Sequence, residues 1–326
     1  MPVVLLVKGI NQSKRLKTSI PTNPHDLVEK YACDSNLKGR MSGECTLCDE
    51  KTFDFDISTT EVDDSGDDST SSCGSSDQEE DDDTVTYYRW QKDDNDKIAK
   101  LKITQPYEDA LDLLNSSIVE LKVHIHCKRV QNTIRQEQKD ALGPKDLLLH
   151  VDFSESYKNK NQDEIHSAYF GGKCFSIFTA CAYYRLGTDV LSDSITVITE
   201  SSEHDRSCAL SCIRKVIEKV ETVHDSQYDS IEIWSDGCSA QFRSRYVFHL
   251  CATAFITDKN LSWNYNERHH GKGPMDGVGG TLKRTVFNAV KSKKVVINSP
   301  EEFAMAAESL VEGIHTVYMT NDEILV

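Results

Sequence analysis

The chain lacks a basic surplus, a long apolar run and the common catalytic signatures. Lys and Arg number 37 against 53 Asp and Glu, for a formal net charge of −16. Phosphate binding normally draws on excess Lys and Arg, so this balance argues against a simple basic coat for nucleic acid. The longest apolar run near the start covers residues 3–7 and stops at Lys8. A signal-peptide core needs roughly 7–15 apolar residues and a bilayer span ~20, so an intracellular chain with no membrane partner is expected. Phosphate-loop, HExxH and nucleophile-elbow motifs are missing, and His204-Asp205 has no activated-serine motif nearby, which leaves a Ser/His/Asp hydrolase without an anchor. The 11 cysteines are odd in number and scattered through segments that read as helix or strand. That pattern fits buried thiols in a reducing compartment better than a disulfide framework.

What is present is unevenly distributed. Residues 61–83 carry eleven Asp and Glu and no Lys or Arg; taking these eleven charges from −16 leaves −5. The average therefore hides an acidic, Ser-rich insert too polar to bury a core. Four parts are expected. Residues 1–60 form a Cys-containing N-terminal segment and 61–84 an acidic disordered linker, a spacer whose charge could mask the basic run at 283–294. Residues 85–145 form a helical lead, and 146–326 an α/β catalytic-type domain.

The order of elements in the last part is informative. Residues 107–140 read as helix from Leu111, Leu114, Ile118 and Leu121 at helical spacing, and Gly143-Pro144 stops it. Residues 146–153, 175–184 and 194–199 read as three strands, followed by a helix at 205–223. A strand at 230–235, a helix at 241–256, a strand at 261–266 and helices at 281–291 and 301–311 complete the chain. Three strands, helix, strand, helix, strand, helix is the order of the RNase H-like fold, a five-stranded mixed sheet flanked by helices.

Acids stand where that fold would use them. Asp152 ends the first strand and Asp236 the fourth, and in this order the two strands lie side by side and parallel. Two carboxylates brought so close repel and are tolerated mainly with a bridging divalent cation, for which hard oxygen donors favour Mg²⁺. Two metals would activate an attacking oxygen and stabilise a leaving one. Each Asp taken alone could equally be a turn former, as in Asp236-Gly237. Asp276, before the helix at 281, is the candidate third ligand or else a helix cap; Glu267 competes with it. His270 and Lys272 lie in a glycine-rich stretch able to approach phosphate closely, and Lys283 and Arg284 follow on the helix.

Three blocks carry a family resemblance: DFSESY at 152–157, SDGCSAQFRSRY at 235–246 and HGKGPMDGVGGTLKR at 270–284. They resemble the DDE/D transposases and integrases of the RNase H-like superfamily. More narrowly they are similar to a group of eukaryotic transposase-derived proteins, over roughly residues 120–295. The resemblance implies metal-dependent DNA cleavage and strand transfer, with Asp152, Asp236 and Asp276 holding Mg²⁺ or Mn²⁺. It also implies DNA as partner, a nuclear location and assembly as a homo-oligomer. Ser156 and Ser244 depart from the Asn of the family pattern, and the third acid is Asp where many transposases have Glu. A domesticated, non-catalytic binding relative is the alternative; an exonuclease is disfavoured because Asp152 is followed by Glu155 rather than by an acid two residues on.

Cys45-x-x-Cys48, with Cys33 upstream, is half of a zinc knuckle. A structural zinc site wants four ligands, and Arg40 stands where the related group carries another cysteine. His124, His126 and Cys127 are adjacent on a predicted helix and so do not face one way. Cys208 and Cys212, four apart, suit packing.

Overall fold

The computed structural model describes residues 2–12, 19–31, 84–158, 174–253, 259–267 and 273–324. The expected acidic linker at 61–83 and the zinc candidates Cys33, Cys45 and Cys48 lie outside the described residues. The chain divides into two compact units, Met1–Arg129 and Val130–Val326.

In the first unit, helices α1 (Pro2–Gln12) and α2 (Pro24–Tyr31) accompany an antiparallel hairpin of β1 (Thr84–Lys92) and β2 (Ile98–Pro106). Helix α3 (Tyr107–Asp140) begins in this unit and ends in the second. Leu6, Val7 and Ile10 of α1, Val85 and Tyr87 of β1, and Leu111, Leu114 and Ile118 of α3 form a common core. The hairpin corrects the expected helical lead at 85–145, which is helical only from Tyr107 to Asp140. Lys92, Lys100 and Lys102 lie in its strands and Lys97 in its turn, and although Ala99, Leu101 and Ile103 alternate with polar residues, only Val85 and Tyr87 are buried there. Gly9 lets α1 approach β1: a Cβ there would lie 2.6 Å from the Thr86 carbonyl oxygen and 2.8 Å from Tyr87 Cβ. Gly9→Ala is therefore expected to destabilise this unit by about 1–3 kcal/mol, the usual cost of overpacking. Faster amide exchange in β1 and β2, with the second unit's sheet unchanged, checks it.

The second unit is built on a six-stranded mixed sheet. Its strands are β3 (Asp146–Lys158), β4 (Cys174–Leu186), β5 (Asp189–Thr199), β6 (Ser230–Ser235), β7 (Asn260–Tyr265) and β8 (Ile314–Met319), in the order β7-β6-β3-β4-β5-β8. β3–β6, β6–β7 and β5–β8 pair parallel; β3–β4 and β4–β5 pair antiparallel. The sixth strand corrects the expected five. IHTVYM is a short edge strand buried only at Thr316 and Met319, so it carries no clean alternation.

Helices cover both faces. Helix α4 (Arg206–His224) is capped by Asp205, whose carboxylate accepts from Cys208 N at 2.8 Å. It lays Cys208, Cys212, Ile213, Val216 and Val220 on one face of the sheet, against Leu147, Leu149 and Val151 of β3, Phe178 and Ala180 of β4, and Ile231 and Ile233 of β6. Cys208 and Cys212 are thus core residues. Helix α5 (Arg245–Ala252) leads towards β7. Helices α6 (Pro274–Lys291) and α7 (Pro300–Leu310) cover the other face, where Leu282, Val286 and Phe303 meet Phe175, Ile177 and Ile198. Since successive strand residues alternate faces, the odd-numbered positions 147–151 of β3 point to α4. His150, Asp152 and Ser154 then point to the α6 side.

Candidate functional site

The parallel register of β3 and β6 ends with His150 opposite Trp234. Two residues further on, Asp152 lies in the middle of β3 and Asp236 just past the last residue of β6; the expected strand end at Asp152 is corrected, because β3 keeps its pairing with β4 past a register shift and runs on to Lys158. Ile231 and Ile233 pack under α4, so Trp234 and Asp236 share the opposite face with Asp152. The Asp152 carbonyl accepts from Thr179 Oγ1 at 3.1 Å, a side-chain tie to β4 midway along β3. Asp236 Oδ1 accepts from Cys238 N at 3.0 Å, folding the following loop back on the carboxylate.

Helix α6 brings the third acid. It begins at Pro274, seven residues before the expected start at 281, because Pro274 suits the first helical position and Asp276 Oδ2 accepts from Gly273 N at 3.1 Å. Gly273, Asp276 and Gly279 recur every three residues and so share one helix face. Both glycines touch β3. A Cβ on Gly273 would lie 2.9 Å from His150 Cε1, and one on Gly279 would lie 2.6 Å from Ser154 Oγ. Asp276 therefore sits between two contacts that bracket Asp152 on the strand. The Gly-x-x-Asp-x-x-Gly spacing is the device that lets the helix backbone approach β3 with Asp276 near enough to act on Asp152.

The electrostatics reflect this gathering. Asp152 is half-buried, and its pKa is pushed up to about 7. Burial is the main cause, repulsion from Asp236 the next, and Asp276 adds to it; the Phe153 backbone N–H works in the opposite direction. Glu267, the competing third acid, does not act on Asp152; its N–H donates to Gln131 Oε1 at 2.7 Å at the end of β7. Among the described residues, no three His, Cys, Asp or Glu side chains converge closely enough to hold a metal ion. Asp152 feels both other carboxylates, Asp236 more strongly than Asp276. Because Mg²⁺ binds through one or two carboxylates and keeps several waters, the hard-oxygen pair Asp152 and Asp236 suits it without a closed three-ligand cage.

A buried polar relay under the pair escaped the sequence reading. Arg135, in the last turns of α3, donates from NH1 to Asn266 Oδ1 at 3.1 Å, and Asn266 Nδ2 lies 3.2 Å from His150 Nε2. Burial, with the positive charges of Arg135 and Lys139, lowers the His150 pKa to about 3. His150 is thus neutral, with Nε2 accepting from the Asn266 amide. It is a packed support for Gly273 rather than a cation. The only sequence hint was a lone His in the apolar run DLLLHVDF.

Lys283 is half-buried and Arg284 exposed on α6. Lys283 lies seven residues beyond Asp276, about 10 Å along the same side of the helix. His270 and Lys272 lie outside the described residues. Ser244, one of the departures from the family pattern, caps α5 through a bond from Val247 N at 3.4 Å, so the exchange keeps a capping side chain.

Residues 131–325 match the family described as Domain of unknown function (DUF8701), and the chain belongs to that family. No curated protein matches it. Among solved structures, a chain of the cryoEM structure of the simian T-cell lymphotropic virus intasome in complex with PP2A regulatory subunit B56 gamma is similar at 12% identity and a TM-score of 0.30. The match covers 52% of this chain and 48% of that one, so it spans about half the length of the structure it matches. A likeness of that size carries no argument about fold or activity.

Proposed function

We propose that the second unit is an RNase H-like domain of transposase type that cleaves and transfers a DNA strand at Asp152, Asp236 and Asp276. The observation that carries this reading is positional. Asp152 on β3 and Asp236 just past the end of the parallel neighbour β6 are near enough to repel, and Asp276 at the start of α6 adds to that repulsion. The order β7-β6-β3-β4-β5 supports the fold assignment, with β8 as an addition at the β5 edge. Asp152 and Asp236 would hold Mg²⁺ or Mn²⁺, with Asp276 nearby. A bound cation supplies Lewis-acid polarisation of the phosphate and neutralises the carboxylates. The chain's own part is to hold Asp152 and Asp236 in register and to keep Asp276 on α6. His150 stays uncharged beneath, so that it does not compete as a counter-ion. Lys283 and Arg284, with His270 and Lys272, would contact the phosphate backbone, and such a substrate fits a nuclear protein.

A non-catalytic DNA-binding relative is the second reading. It is favoured by the backbone bonds that engage Asp236 and Asp276 and by the lack of a converged ligand cage among the described residues. One assay separates the two. Full-length protein is incubated with end-labelled duplex and single-stranded DNA and Mg²⁺ or Mn²⁺, beside Asp152→Asn and Asp236→Asn. The catalytic reading expects metal-dependent cleavage that falls roughly 100-fold or more in each variant, the scale on which removing one pre-placed charge-stabilising group acts. DNA binding without cleavage selects the second reading, and equal cleavage by all three proteins rejects the first.

A further inference from the structure

An arginine and aromatic cluster at the starts of α4 and α5 plays no part in the site described so far. Arg206 opens α4 and Arg245 opens α5; their guanidinium carbons lie 4.3 and 4.9 Å from the centre of the Tyr246 ring. Arg243 lies 5.7 Å from the Tyr265 ring, which also has Phe248 and Trp263 each at 6.3 Å. Tyr246 is 46% and Phe248 49% exposed. In a chain of net charge −16, none of the three arginines has a carboxylate at ion-pair distance among the described residues. Arg245 spends one N–H on Tyr246 Oη at 3.0 Å. Stacking uses the flat face of a guanidinium and leaves its in-plane N–H fork for an anion.

The backbone connects this cluster to both aspartates. From Asp236, Cys238 N donates to the carboxylate, and Arg243 N donates to Cys238 O at 3.0 Å. From Asp152, the next ring, Phe153, stacks on His204 with centroids 4.4 Å apart, and His204 stands two residues before Arg206. Short segments that start at each carboxylate thus end at the arginines.

We infer that Arg206, Arg243 and Arg245, with the exposed rings of Tyr246 and Phe248, form a track for single-stranded nucleic acid leading to the Asp152–Asp236 pair. Unpaired guanidinium forks suit phosphates, and interleaved exposed aromatics suit unstacked bases, the combination that single-strand binders use. The direction of approach deepens the proposed function and rests on it, whereas strand binding itself is measurable without any reaction.

The test is fluorescence anisotropy of a labelled 20-nucleotide single strand and its duplex, with full-length protein in EDTA across a salt series. Replacing all three arginines by alanine is expected to weaken single-strand binding roughly tenfold or more and to flatten the log K against log salt slope by about 2, at roughly 0.7 per phosphate contact. Lys283→Ala/Arg284→Ala and Asp152→Asn serve as comparisons. An Arg→Lys triple variant, which keeps charge but not the planar fork, should recover part of the affinity, and circular dichroism confirms that each variant is folded. An unchanged slope in the alanine variant overturns the inference even if wild type cleaves DNA. A parallel loss of heparin binding with no preference for the single strand would reduce the cluster to a general anion patch and overturn it too. Binding that depends on the arginines in a protein that never cleaves DNA keeps the track and sinks only the catalytic reading.

Discussion

Asp152→Asn is expected to make the protein more stable at pH 8, by roughly 5–10 °C in Tm, with the gain shrinking towards zero as the pH falls to 4. The sign follows from linkage. Asp152 has a folded pKa of about 7 against 3.8 for an unperturbed carboxyl. A group whose folded pKa is raised contributes its full stability below the unfolded value and loses it as pH rises through the folded one. Between about pH 4 and 7 the wild type therefore pays progressively to ionise a carboxyl that is half-buried beside Asp236 and Asp276. The shift sets a ceiling of roughly 4 kcal/mol, and 1 kcal/mol moves Tm by about 2–4 °C in a unit of this size. Asparagine removes the charge and keeps the shape. Adding Mg²⁺ at pH 8 should raise the wild-type Tm and leave the variant nearly unmoved, since a ligand that binds only the folded state stabilises it. A variant less stable than wild type at pH 8, or a gain independent of pH, would show that Asp152 is not held among like charges.

That result would turn on residues whose positions were largely legible in the sequence, for a physical reason. A buried strand whose apolar run is followed by an acid, HVDF or IWSD, announces its face; the limit was legible only in β6, since β3 runs on to Lys158. Once two such strands are parallel neighbours, their register follows from the alternation of side chains. The face assignment of Asp152 needed only Leu147, Leu149 and Val151 on the opposite side. Other elements were hidden. The hairpin β1–β2 alternates, with Ala99, Leu101 and Ile103 set between Lys100, Lys102 and Thr104, but its lysine-bearing surface buries only Val85 and Tyr87. β8 is an edge strand with two buried positions. Helix α6 starts inside a glycine-rich stretch, where helix propensity argues against it. Tertiary contact overrides propensity there, since Gly279 is buried against Ser154. The Arg135–Asn266–His150 relay joins residues 116 and 131 positions apart, and no local pattern encodes such a meeting.

Gly279→Ala tests whether that close approach of helix to strand builds the carboxylate cluster. The added Cβ would lie 2.6 Å from Ser154 Oγ, 3.0 Å from Ser154 Cβ and 3.4 Å from Thr179 Cγ2. The first contact can be relieved by a hydroxyl rotation, but the second involves the root of a strand side chain, so helix or strand must shift. Alanine itself favours a helix over glycine by about 1 kcal/mol, which offsets part of the strain. The net cost is expected at roughly 1–3 kcal/mol, the range for overpacking a fitted interface. Gly280→Ala is the control. Gly280 is exposed with nothing within 4 Å of a Cβ, so there only the propensity gain remains and stability should rise slightly. Because the two positions are adjacent on the same helix, opposite signs cannot come from helix propensity. Ser154→Gly should remove the clash, so the Gly279→Ala/Ser154→Gly pair is expected to show a favourable coupling of 1 kcal/mol or more in a double-mutant cycle, about the scale seen for residues in contact. Additive effects would mean that α6 does not seat on Ser154. Asp276 would then have no fixed place near Asp152, and the Asp152 carboxyl followed by NMR should titrate alike in wild type and Gly279→Ala. If the seating holds, pushing α6 outward weakens the repulsion from Asp276, and the Asp152 titration moves to lower pH in the single variant and back in the double.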